Sequence, residues 1–273
     1  MAKERGLLDH AYIYGFDEVQ EEWFQTVEET AVAVRVAMPR VLILTTAYDD
    51  SCGRDSRITS IDGWTPKTSH YDLALADAAR RRGDQVWWYI CVAPNPPYAN
   101  IFLECSAIDI RLLMGAMTAK YRPDGFLYYQ TSLWEATEPI RTGPFTNWSP
   151  VSYRSSHGDG SWLCMREGGL PVPTIRLENY RDGLEDYAYV RILEEAIRIK
   201  EAKGASLSLA DRKWLDEARA VLVVPQTLVA SLTEYSRDSG LLQIWREGLA
   251  GCIERSGLRY INPWGREFTL RRQ

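Results

Sequence analysis

Two carboxylates stand side by side at Asp17 and Glu18, where the tyrosine-rich apolar run from His10 to Phe16 hands over to an amphipathic helical pattern. Neighbouring carboxylates repel, which favours holding a proton on one of them; such a pair suits proton donation beside a fixed anion. The same residues could instead cap free amides and complement a helix dipole. Their place in the chain favours chemistry, because in parallel α/β folds active sites gather where strands hand over to helices. Other chemistry-bearing residue types are scattered. Three histidines, His10, His70 and His157, lie far apart without zinc-type spacing, and the five cysteines form no CxxC pair. Neither a metal, a cofactor nor a disulfide framework is expected.

The elements that must position the pair follow in order. Val19 to Met38 carries Trp23, Val27, Ala31 and Val34 on one stripe and is stopped by Pro39, so it reads as a helix. Val41 to Ala47, VLILTTA, reads as a strand buried on both faces. Ile58 to Asp62 is a weaker strand, leading into a Gly63-Trp64-Thr65-Pro66 loop. Tyr71 to Arg82 is helical, Val86 to Ala93 is a strong strand stopped by prolines, Cys105 to Tyr121 is helical and Gly125 to Thr131 is a fifth strand. Strand and helix alternation of this kind predicts a parallel sheet with helices outside it. A long irregular excursion from Ser132 to Gly160 follows, with Gly158-Asp159-Gly160 as a turn. Ser161 to Met165 is a small extra strand. Thr174 to Lys200 contains a helix, and three further helices are expected around Asp211 to Val221, Pro225 to Tyr235 and Gly240 to Glu254.

Composition bounds the possible partners. With 273 residues, one α/β domain with a C-terminal extension is expected. A net charge of -5 without long runs of either sign argues against nucleic acid or an anionic membrane. No run of membrane-spanning length is present, and the charged N-terminus lacks a signal-peptide stretch, so the chain as written is expected in the cytoplasm. A functional strand only ten residues in suggests a chain that starts in the middle of something. Ten Trp and fifteen Tyr are unusually many and could line a ligand cleft, although a large aromatic core would use them equally well.

YGFDE at Tyr14 to Glu18, DGW at Asp62 to Trp64, VAPNPPYANIFLE ending at Glu104, and GDG followed by PVPTIRLENYRDGLEDYAYV resemble the catalytic part of glycoside hydrolase family 123. The resemblance runs from about Ala11 to the C-terminus and implies a β-N-acetylgalactosaminidase-like enzyme on a (β/α)8 TIM-type barrel whose fourth strand ends in the Asp-Glu pair. The five strands would then be the fourth to the eighth, with strands one to three and an N-terminal β-sandwich lacking. Residues 1–204 would form the partial barrel and residues 205–273 a helical extension packed on it. Open barrel edges are an aggregation hazard, so self-association or an N-terminal half would be needed to close them.

By the same resemblance, Glu18 would be the general acid and then the base, and Asp17 would orient the substrate's 2-acetamido group. Adjacent carboxylates cannot easily straddle a glycosidic bond, but they suit substrate assistance, in which the acetamido oxygen is the nucleophile. Consecutive strand residues point to opposite faces, so the chain must bend or bulge near Gly15-Phe16, which Gly15 would permit. Trp64, Trp134 and Trp148, each in a loop after a strand, could wall a sugar cleft; ordinary loop packing would account for each as well. Asp62 and Gln130, near strand ends, could bind hydroxyls. Trp87, Trp88 and Tyr89 are assigned to the core. The expected partner is a glycan or glycolipid with a terminal N-acetylhexosamine. The rival expectation is a truncated, non-catalytic relative that binds carbohydrate or another protein, or a glycosidase for a different sugar.

Overall fold

In the computed structural model, residues 3–7, 11–133, 157–165, 170–257, 260–261 and 267–268 are described. The expected sites Trp134 and Trp148 lie outside them. The chain divides into two compact units, Met1–Tyr98 with Arg122–Thr131 and Ala99–Tyr121 with Ser132–Gln273.

The first unit is built as strand and helix alternation requires. Strands β1 (Tyr12–Tyr14), β2 (Leu42–Thr45), β3 (Gly63–Trp64) and β4 (Gln85–Val86) form a parallel sheet in sequence order, with α1 (Phe24–Ala37) and α2 (Leu73–Arg82) as crossovers. A parallel pair, β5 (Trp88–Tyr89) and β6 (Phe126–Leu127), continues it. Trp87 N donates to Trp64 O at 2.8 Å and Tyr89 N to Pro66 O at 3.1 Å, so β4 and β5 run as one slightly broken strand. Five parallel stretches therefore follow one another in sequence order. Among the described residues they do not close into a barrel, and β1 pairs with β2 alone. Of the expected α1 stripe Val27 and Ala31 are buried, together with Phe24, whereas Trp23 is exposed; the buried core of this unit also includes Leu44, Val86 and Trp88. At α2, Asp72 accepts from Leu75 N and Gly83 ends the helix in the left-handed conformation.

The third strand departs from expectation. It forms at Gly63–Trp64, where the sequence suggested a loop, while Ile58 to Asp62 is irregular. The backbone ladder explains the choice: Asp62 N donates to Ile43 O, and Thr65 N to Thr45 O, both at 2.9 Å. This register brings Leu44 opposite Gly63, whose lack of a side chain leaves room for the leucine.

The second unit is helical. Residues 109–121 form α3 (Asp109–Leu112), a π-helical turn (Leu113–Met117) and α4 (Thr118–Tyr121), all packing against α5 (Ile175–Glu201). Close approach is possible because Gly183 of α5 has no side chain; a Cβ there would lie 2.7 Å from Arg111 O. Asp186, fully buried in α5, is held by Arg111 at 2.7 Å and Arg246 at 2.8 Å, which is how a buried charge is tolerated. Helices α6 (Leu209–Leu222) and α7 (Ser239–Arg255) pack on α5 and on each other. Strands β7 (Leu163–Met165) and β8 (Pro171–Pro173) form an antiparallel pair, as do β9 (Tyr260–Ile261) and β10 (Glu267–Phe268). Pro225 to Tyr235 is not the expected helix but a succession of turns. Lys120 Nζ donates to the carbonyls of Val229 (2.7 Å) and Ala230 (2.8 Å), satisfying groups that a helix would have used internally.

Candidate active site

The Asp17-Glu18 pair lies just beyond the C-terminal end of β1, beside the end of β2. Gly15 N still bonds Leu44 O at 3.3 Å, so the strand register persists to that glycine. The break falls at Phe16, within the expected Gly15-Phe16 stretch. Phe16 (φ 60°) and Glu18 (φ 53°) are both left-handed, whereas Gly15 is not. For residues with a Cβ such a backbone costs on the order of 1–3 kcal/mol each and persists only where neighbours hold it.

The neighbours that hold it are Thr45, the last residue of β2, and Thr46 just past it. Thr45 Oγ1 donates to Phe16 O at 3.2 Å, and Thr46 Oγ1 accepts from Glu18 N at 3.0 Å. Tyr48 N, two residues on, donates to Val19 O at 2.9 Å. Both threonine side chains are buried. The run VLILTTA thus supplies a sheet strand with its first residues and a clamp for the turn with its last.

Each carboxylate is met by hydroxyls. Asp17 Oδ1 accepts from Tyr14 Oη at 2.5 Å and from Thr46 Oγ1 at 2.9 Å; among the described residues Oδ2 accepts no hydrogen bond. Glu18 Oε1 accepts from Tyr89 Oη at the end of β5. Burial, then the bond to Glu18, push the Tyr89 phenol far above its ordinary value, and burial and Asp17 do the same to Tyr14. Both shifts favour the protonated phenols that donate these hydrogen bonds. Tyr48 also faces Glu18; burial and that carboxylate raise its value against the pull of Lys67. Lys67 Nζ donates to Tyr48 Oη at 3.1 Å and lies 4.6 Å from its ring centroid. Burial opposes the Lys67 charge, but Tyr48 and Glu18 outweigh it, so its value is raised and the ammonium persists.

The other expected site residues are placed differently. Asp62 precedes β3, at the opposite end of the sheet from the pair: its carboxylate accepts from Arg35 and, at 2.8 Å, from Ile43 N, and serves as a brace between α1 and β2. Reading 58–62 as the strand put its C-terminal end in the wrong place. Trp64 is a strand residue only 3% exposed, with its indole against Gly53, so it packs inside this unit. Gln130 is partly exposed three residues beyond β6, and no hydrogen bond holds its side chain among the described residues. Tyr89, assigned to the core, has a buried ring and a hydroxyl on Glu18. Thr46, Tyr48 and Lys67 were missed. Their common signal is legible in retrospect: each is a polar group just past a parallel strand. Among the described residues no three His, Cys, Asp or Glu side chains converge as metal ligands would.

This arrangement can do one kind of chemistry well. A carboxyl anchored through one oxygen by a phenol can exchange a proton at the other, while a carboxylate with one occupied and one unoccupied oxygen can accept an N–H from a ligand. Residues 1–193 match the family model described as glycoside hydrolase 123, catalytic domain. No curated protein matches the chain. A solved family 123 glycoside hydrolase from Clostridium perfringens, described for its hydrolysis of glycolipid glycans, is similar in fold, with a TM-score of 0.54 at 16% identity. The similarity covers 93% of this chain and 41% of that one, so the present chain spans less than half of the solved protein. Because the family model takes in well over half of its residues, the chain belongs to glycoside hydrolase family 123.

Proposed function

We propose that this chain carries the catalytic pair of a retaining glycosidase for terminal β-linked N-acetylhexosamine, N-acetylgalactosamine first, on a glycan or glycolipid. Glu18 protonates the glycosidic oxygen as the bond to the anomeric carbon breaks. The substrate's own acetamido oxygen attacks that carbon, and Asp17 accepts the acetamido N–H through Oδ2 and offsets the positive charge of the oxazolinium ring. Glu18, now a carboxylate, takes a proton from water as the water opens the ring, which returns the starting configuration. Neither carboxylate forms a bond to the sugar. The observation carrying this reading is the left-handed turn at Phe16 and Glu18, which lets adjacent side chains serve separate hydroxyl networks at one strand end.

The five parallel stretches would be the fourth to eighth strands of a (β/α)8 barrel, with the preceding strands supplied by self-association or by an N-terminal half. The test is hydrolysis of a chromogenic β-N-acetylgalactosaminide, with N-acetylglucosamine and galactose analogues as controls. Activity that requires the acetamido group and falls at least about 1,000-fold in Glu18→Gln is expected; equal turnover of the galactoside would sink substrate assistance. The edge of β1, which no second strand pairs with among the described residues, favours a second reading, a non-catalytic relative that retains sugar binding. Soluble, folded protein that binds N-acetylgalactosamine yet stays inactive with the N-terminal half restored would favour it.

A further inference from the structure

From the hydrogen bonds around the turn we infer that Thr46 is the positioning residue that sets Asp17 and Glu18 relative to each other; the catalytic part of this inference rests on the function proposed above. The Thr46 hydroxyl has one proton to give and lone pairs to accept with. It accepts from Glu18 N at 3.0 Å and donates to Asp17 Oδ1 at 2.9 Å, so a single atom ties the backbone of one catalytic residue to the carboxylate of the other. Tyr14 Oη lies 2.9 Å from the same hydroxyl and gives its own proton to Asp17 Oδ1. With both hydroxyl protons directed at Oδ1, the orientation of Asp17 is fixed and Oδ2 is the oxygen left for a ligand.

The neighbouring threonine cannot substitute. Thr45 Oγ1 is engaged with Phe16 O and with Ala47 N at 3.1 Å, holding the other left-handed residue. Thr46 is 2% exposed and reaches no solvent, so its hydroxyl is retained inside the protein by these partners alone. A valine has the same shape without the hydroxyl. It would leave the Glu18 N–H donor and one acceptor site on Asp17 Oδ1 unmet and remove the restraint on a backbone that is otherwise unfavourable.

The test compares Thr46→Val with Thr46→Ser in the full chain. Amide exchange by NMR reads the clamp directly, without any need for activity. In Thr46→Val the Glu18 amide should exchange at least about tenfold faster while amides of α1 keep their rates, and Thr46→Ser should restore protection. In the active assembly kcat for the acetamido substrate should fall about 100-fold in Thr46→Val with KM changed less than about threefold, since a displacement near 1 Å costs that much in rate. Thr46→Ser should recover most of kcat, which loss of packing alone would not predict. Wild-type Glu18 exchange in Thr46→Val would overturn the inference, as would unchanged kcat. Faster Glu18 exchange in Thr46→Val, with no hydrolysis by the wild-type protein even when the N-terminal half is restored, would uphold the clamp and reject the hydrolase.

Discussion

At the scale of single residues, the acid pair depends on groups whose titration has been displaced by burial. Tyr89 illustrates the point: its ring fills the core of the sheet while its hydroxyl serves Glu18. Removing only that oxygen should leave packing intact and weaken the anchor. Tyr89→Phe is expected to lower kcat by roughly tenfold to a hundredfold, the range for a hydrogen bond to a charged group, with KM little changed. Steady-state kinetics on the acetamido substrate would check it, and a change confined to KM would remove Tyr89 from the catalytic machinery.

Elements act by delivering ends. Parallel strands expose their C-terminal edges together, so β1, β2 and β5 bring Tyr14, Thr46 and Tyr89 to one place although they lie far apart in sequence. In the helical unit the start of α6 shows an electrostatic counterpart. Asp211 takes a hydrogen bond from Lys200 at 2.6 Å and another from Ser208 at 3.0 Å, which hold its value at about 2 against an ordinary 3.8. Because the folded-state value is depressed, this contribution to stability is complete above about pH 4 and is lost as pH falls through about 2. Asp211→Asn should therefore lower Tm at pH 7, and the two melting curves should converge near pH 2. A constant difference between them from pH 7 to pH 2 would contradict the assignment.

For the whole molecule the decisive feature is the edge of β1 that no other strand pairs with among the described residues. Tyr12 is 49% exposed there, and Val36 of α1 is 80% exposed. An uncovered parallel edge beside apolar surface promotes pairing with another chain. Sedimentation should show concentration-dependent association that Tyr12→Lys reduces, because a charge on an edge strand opposes pairing. A monomer at every concentration, unchanged by the substitution, would show that the edge is inert.

Much of this was legible in the linear order of residues. Helix stripes, the β-branched runs and the proline stops specify parallel strands with helical crossovers, because burial periodicity is a local property. The pair at Asp17-Glu18 was legible for the same reason, as carboxylates at a strand's end. Local pattern failed where the partner strand made the choice. Register against Leu44 and Thr45 moved the third strand to Gly63–Trp64, which carried Asp62 to the far end of the sheet and Trp64 into the interior. The bend near Gly15-Phe16 was legible, but not what holds it: Thr45 and Thr46, about thirty positions away, brace the left-handed backbone of Phe16 and Glu18. Residue types announce which groups can transfer protons; which hydroxyls meet them is settled by hydrogen bonds between distant segments, and no local spacing encodes those.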